Sequence, residues 1–134
     1  MKSGKNQRNL SNKIRSFDKL YSERLQTVQI ENNDACVVVK AHDSENTFVY
    51  CDPPYVGARQ GHYGGYEQIH FDELLETLSQ IKGKFLLSSY QNEELTKYVD
   101  KMGWYQKRIK LNLGSSNLKG TTKTEILIAN YPIE

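Results

Sequence analysis

Residues 48–55 read Phe48-Val49-Tyr50-Cys51-Asp52-Pro53-Pro54-Tyr55. The first four suit a β-strand, and Asp52-Pro53-Pro54 stops it, because neither proline can donate to a sheet ladder. Downstream lies a polar loop, residues 56–70, dotted with Gly57, Gly61, Gly64 and Gly65 and carrying Tyr63 and Tyr66. Phe71, Leu74, Leu75, Leu78 and Ile81 then mark a helix, with Asp72 and Glu73 at its positive end and Gly83 ending it. Lys84 to Ser88 reads as a second strand. Leu95, Tyr98, Val99 and Met102 give the apolar face of a second helix, stopped by Gly103. Strand, helix, strand alternation predicts an α/β fold with parallel pairing. Two β-rich stretches follow, Trp104 to Leu113 and Glu125 to Ala129, joined by the turn-rich Gly114 to Thr122. With no helix between them they predict an antiparallel hairpin at one sheet edge.

Upstream of the first strand, Ile14, Phe17, Leu20, Tyr21 and Leu25 recur at helical spacing after a Ser11 cap, predicting an amphipathic helix over residues 12–25. Thr27-Val28-Gln29-Ile30 alternates as a short strand and runs into the polar cluster Glu31-Asn32-Asn33-Asp34. Val37 to Ala41 suits a short helix or a buried strand, and periodicity does not decide between them.

At 134 residues, 37% hydrophobic and 25% charged, the chain has the composition of one globular domain, not of a disordered tail, a collagen or a membrane protein. No apolar run approaches the roughly 18 residues of a membrane span. Lys2, Lys5 and Arg8 have no apolar stretch behind them, so a secretory signal is not expected and the cytoplasm is the default location. Cys36 and Cys51 lack C-x-x-C spacing. With only three histidines available they support neither a zinc site nor a disulfide framework, and two reduced thiols are expected. The net charge of +2 is unevenly placed. Residues 1–24 hold seven Lys and Arg against Asp18 and Glu23, giving +5 there and −3 in the remainder. A basic leader is compatible with phosphate contact, although a charge run is commonly a solvated face.

The end of the first strand is where ligands collect in open α/β sheets. Asp52 offers a carboxylate acceptor, Pro53 and Pro54 offer carbonyls and no N–H, and Tyr55 offers an aromatic face of about the size of a base. Acceptors beside a stacking ring describe a pocket for a planar amine. Asp52 also suits a simple strand-end turn, Asp34 a helix cap, and Tyr63 and Tyr66 ordinary loop anchors.

Tyr50-Cys51-Asp52-Pro53-Pro54-Tyr55 resembles the D-P-P-Y motif of the S-adenosylmethionine-dependent DNA adenine N6 methyltransferases of the Dam-like, or D12, class. Three more segments are similar in order and spacing: Leu25 to Asp34, Gly83 to Tyr90, and Lys123 to Tyr131. The resemblance covers roughly residues 20–134. It implies a partial Rossmann-like methyltransferase sheet, with residues 25–134 the C-terminal part of the catalytic domain and residues 1–24 a basic helical leader similar to the tail of a target-recognition domain. It implies that Asp52 and the Pro53 carbonyl accept the two N6 hydrogens of a flipped adenine. Pro54 completes the motif, and Tyr55 stacks on the extruded base. It further implies that Asp34 and the Ala35 amide hold the adenine of S-adenosylmethionine. Asp52 lies at the cofactor as well, and Tyr63 and Tyr66, counted as substrate-binding, lie near the flipped base or the cofactor. No metal ligand is implied.

The family's strand with an F-x-G-x-G turn, which holds the methionine part of the cofactor, has no counterpart here. No G-x-G occurs in the sequence. Absence of two central strands predicts unpaired sheet edges. The expectation is therefore pairing with a complementary N-terminal polypeptide, or self-association, with double-stranded DNA as substrate. Two other readings stand beside this one: a non-catalytic remnant or DNA-binding subunit, and a ribosomal RNA guanine N2 methyltransferase, some of which also carry D-P-P-Y. The terminal Glu125 to Tyr131 segment favours the DNA class.

Overall fold

The computed structural model describes residues 19–56, 65–112 and 122–134, and the chain divides into two compact units, Met1–Asn32 and Asn33–Glu134. In the first unit, helix α1 spans Lys19–Leu25; the part expected over residues 12–18 lies outside the described residues. Its Leu20, Tyr21 and Leu25 are exposed.

The strand expected at Thr27 to Ile30 does not form. The chain instead leaves α1 by a turn, with the Gln26 N–H donating to the Glu23 carbonyl at 3.2 Å and the Val28 N–H to the Leu25 carbonyl at 3.0 Å. Thr27 fastens the turn, its hydroxyl donating to the Arg24 carbonyl at 3.0 Å. A two-residue alternation makes a strand only where a second segment supplies ladder partners, and among the described residues none pairs with this one. Ile30 is 87% exposed.

In the second unit, Val37 to Ala41 resolves as helix, within α2, Ala35–Ala41. Asp34 decides the matter: its Oδ1 accepts from the Cys36 and Val37 amides at 2.9 and 3.1 Å and so caps the first turn. Strand β1, Phe48–Cys51, is followed by α3, Gln68–Gln80, then β2, Lys84–Ser89, α4, Glu93–Met102, β3, Tyr105–Asn112, and β4, Thr122–Ala129. The sheet order is β1-β2-β4-β3. β1 and β2 are parallel, while β4 runs antiparallel to both β2 and β3, so the expected hairpin is present with β3 at the edge.

The strands alternate across the sheet. Phe85, Leu87, Ile126 and Ile128 point to one face and pack with Phe71, Leu74, Leu75 and Leu78 of α3, Leu95 and Val99 of α4, and Trp104. Val49 and Cys51 of β1 join that core, whereas Phe48 and Tyr50 point the other way and are 55% and 59% exposed. β1 lies at the sheet's other edge.

Two helix boundaries depart from expectation. α3 begins at Gln68, so Asp72 and Glu73 stand in its second turn, and Asp72 accepts from the Gln68 side chain at 2.6 Å. It ends at Gln80, with Ile81 already extended, and Gly83 plays no part in the cap. Gly83 is instead required by a close approach: a Cβ there would fall 2.6 Å from the Thr47 carbonyl oxygen and 2.8 Å from that of Ser44. Asp43 locks the same corner, accepting from the Lys82 and Gly83 amides at 2.9 and 3.0 Å, which holds its carboxyl below the usual range. Gly103 does end α4 as expected, in the left-handed conformation at φ +66°.

Candidate active site

Because β1 and β2 are parallel, their carboxyl ends lie side by side, Cys51 opposite Leu87. The Asp52-Pro53-Pro54-Tyr55 segment leaves β1 there with all peptide bonds trans. Asp52 is exposed, and Pro53, Pro54 and Tyr55 are half-buried. The segment turns Tyr55 back on itself and across to β2. The Tyr55 hydroxyl donates to Asp52 Oδ1 at 3.3 Å and lies 3.1 Å from the Ser88 hydroxyl. Its ring packs on Tyr90, centroids 4.2 Å apart and planes 44° to one another. Burial is the main cause that pushes the Tyr55 hydroxyl up to about 12, so it is a neutral donor through the physiological range.

Pro53 and Pro54 also border a cleft of about 540 Å³, within the usual range for small-molecule sites. Its walls include Asp34, Ala35, Pro53, Pro54, Tyr66 and His70. Residues nearly twenty positions apart, Asp34-Ala35 and Pro53-Pro54, thus face one space. Asp52, expected at the cofactor as well as the substrate, is not among the residues lining this cleft. Tyr66, expected near the substrate, stands in its wall beside His70, ring centroids 5.7 Å apart. Tyr63 lies outside the described residues.

The donor set of the cleft fits an adenosyl group. Asp34 spends Oδ1 on two amides of α2 and has a second carboxylate oxygen. The Ala35 N–H belongs to the first helical turn, where amides have no partner inside the helix, and Asp34 takes those of Cys36 and Val37 but not this one. An acceptor next to a donor matches one edge of an adenine ring. The Tyr66 hydroxyl is buried without a hydrogen-bond partner among the described residues, and burial pushes it up to about 12. Such an orphan costs free energy unless a ligand engages it.

Both cysteines are free thiols. Cys51 is pushed up to about 11 by burial and, secondarily, by Cys36, which keeps it protonated at neutral pH. Among the described residues there is no cluster of three His, Cys, Asp or Glu able to hold a metal ion, and no helix long and apolar enough to cross a membrane. Sequence reasoning passed over Ser88 and Tyr90. A serine following Leu86 and Leu87 in a buried strand is the signal by which the first could have been found.

A mixed sheet with this parallel pair and antiparallel edge is compatible with part of a methyltransferase fold. The family model for D12 class N6 adenine-specific DNA methyltransferases matches residues 3–113, most of the chain, and the chain belongs to that family. No curated protein and no solved structure matches it significantly.

Proposed function

We propose that this chain is a catalytic part of an enzyme that methylates the N6 amine of adenine in double-stranded DNA. The observation that supports it best is the cleft in which Asp34 and Ala35 face Pro53 and Pro54, with Asp52 and Tyr55 at the two ends of the same four-residue segment. Asp34 and the Ala35 amide hold the adenine of S-adenosylmethionine, and Tyr66 offers its hydroxyl to the same group. When bound, that cofactor supplies an electrophilic methyl group.

Asp52 and the Pro53 carbonyl each accept one hydrogen of the target amine. Pro54 and Pro53 have no N–H, so no backbone donor at these positions competes for the nitrogen lone pair. Two acceptors on one amine draw its lone pair out of conjugation with the ring and aim it at the methyl group. Catalysis here is positioning and electrostatics. Tyr55 stacks on the flipped base with the face turned away from Tyr90, replacing stacking lost from the duplex.

The methionine end of the cofactor calls for a glycine-rich turn that residues 1–134 do not contain. Among the described residues the outer edge of β1 is open, with Phe48 and Tyr50 exposed, which supports pairing with a complementary polypeptide that supplies the turn, or self-association through that edge. The test is transfer of a labelled methyl group to adenine-containing duplex DNA, with structured RNA as competitor and Asp52→Ala as control. Transfer that requires the complementary polypeptide, is abolished by Asp52→Ala and is not competed by RNA is the expected result. Transfer that survives Asp52→Ala refutes the assignment of the site. Light scattering at high concentration tests association, and a monodisperse folded monomer overturns it.

A further inference from the structure

β2 runs through Phe85, Leu86 and Leu87 and then places a hydroxyl, that of Ser88, at 4% exposure. A buried hydroxyl is costly unless hydrogen-bonded. The partner is the Tyr55 hydroxyl, 3.1 Å away and 33 residues earlier in the chain. Tyr55 in turn reaches Asp52 Oδ1 at 3.3 Å. Chemistry sets the direction of this chain of bonds. A carboxylate only accepts, so the Tyr55 proton goes to Asp52, and the phenolic oxygen is left to accept from Ser88. The ring cannot drift far, because Tyr90 lies against it at 4.2 Å.

We infer that Ser88 is a positioning residue: its hydroxyl orients that of Tyr55, which holds one oxygen of Asp52 and leaves the other to the substrate amine. This rests on the reading of Asp52 as the acceptor for the adenine N6 amine. An exposed carboxylate at a strand end has free rotation about its side chain, and one fixed oxygen removes most of it. The effect of Ser88 on Tyr55 agrees, since its hydrogen bond draws the phenol downward, as donation to a phenolate oxygen does, against the larger upward push of burial.

The test compares Ser88→Thr with Ser88→Val, side chains of nearly the same shape of which only threonine keeps the hydroxyl. Tyr55 is read by NMR in full chain carrying tyrosine labelled at Cζ with carbon-13, its resonance assigned by loss in Tyr55→Phe. Ser88→Val is expected to move that resonance, with the Tyr66 resonance unmoved as a sign of intact fold. Ser88→Thr is expected to leave both where they are in the wild type. Threonine and valine behaving alike overturns the inference, as does an unmoved Tyr55 resonance in Ser88→Val. In methyl transfer, Ser88→Val should lower kcat by up to about tenfold with KM for the duplex little changed, the size of one neutral hydrogen bond. Added to Tyr55→Phe it should cost nothing more, and additive losses overturn the inference. Absence of transfer by the wild type in the presence of the complementary polypeptide counts against the assigned reaction, while the resonance still decides the hydroxyl chain.

Discussion

Replacing Asp34 separates the cap its carboxylate makes in the structure from the cofactor contact proposed for it. Oδ1 accepts from the Cys36 and Val37 amides at 2.9 and 3.1 Å and caps α2, a helix of seven residues that has little stability of its own. Loss of such a cap costs about 1 kcal/mol. Asparagine retains an oxygen for the cap, so Asp34→Asn should lose only the interaction of a negative charge with the helix dipole, about 0.3–1 kcal/mol. The cofactor sees a different substitution. With its oxygen turned to the cap, asparagine presents an NH2 to the amino group of adenine, and a hydrogen bond to a charged acceptor is lost. That is about 1.5–3 kcal/mol, or about 10- to 150-fold in Kd. Asp34→Ala should lose both cap and affinity. Urea unfolding followed through Trp104, buried against Phe85, reports the first loss, and calorimetric titration with S-adenosylmethionine reports the second. An Asp34→Asn chain that binds the cofactor as tightly as the wild type refutes the reasoning, and Asp34 is then a cap alone.

Gly83→Ala should destabilise the fold by about 1–3 kcal/mol, because its Cβ meets two backbone carbonyls at 2.6 and 2.8 Å that no side-chain rotation relieves; an unchanged urea midpoint would sink this reading. The corner lies at the amino ends of β1 and β2, so cofactor affinity of the folded variant should be unaltered. Tyr66→Phe should raise stability by about 1 kcal/mol without cofactor, since it removes a buried hydroxyl that has no partner among the described residues, and should weaken cofactor binding; a variant less stable than the wild type contradicts it. Burial keeps Cys51 protonated in the folded chain until about pH 11 against an ordinary thiol value of 9.0, so its contribution is fully present below pH 9 and is lost as pH rises toward 11. The loss is on the order of 2–3 kcal/mol, and Cys51→Ala should remove it; the two chains showing the same fall in stability between pH 9 and 10 would rule it out.

Local signals carried much of this fold. Prolines after Cys51 and the left-handed Gly103 end their elements by backbone chemistry that no neighbour can override, and each was legible. Features that depend on distant partners were not. Thr27 to Ile30 alternates well enough for a strand, yet alternation says nothing about whether a ladder partner exists. Gly83 looks the same in sequence whether it ends a helix or permits a close approach, and only the position of Thr47 distinguishes them. α3 starts three residues early because Gln68, Ile69 and His70 add no apolar stripe; His70 Nδ1 accepts the Glu67 amide at 2.9 Å instead. At the site, Asp34 was readable as a cap or as a cofactor ligand. The structure shows the cap, and the cleft beside it leaves room for the other role.

The four residues 52–55 join fold and chemistry more closely than a motif on a loop requires. Because Pro53 and Pro54 have no N–H, the ladder with β2 cannot continue past Cys51, and the chain must leave the sheet there. The same missing donors leave only acceptors at the point where the proposed mechanism holds an amine. Fixed φ at both prolines then sets how Asp52 and Tyr55 stand relative to each other, which is why a hydroxyl three residues on can return to the carboxylate at 3.3 Å. β2 has no such break and continues through Ser89, which carries Ser88 far enough to meet Tyr55. One strand ends early and its neighbour does not, and in the step between them the carboxylate, the ring and the buried hydroxyl come together.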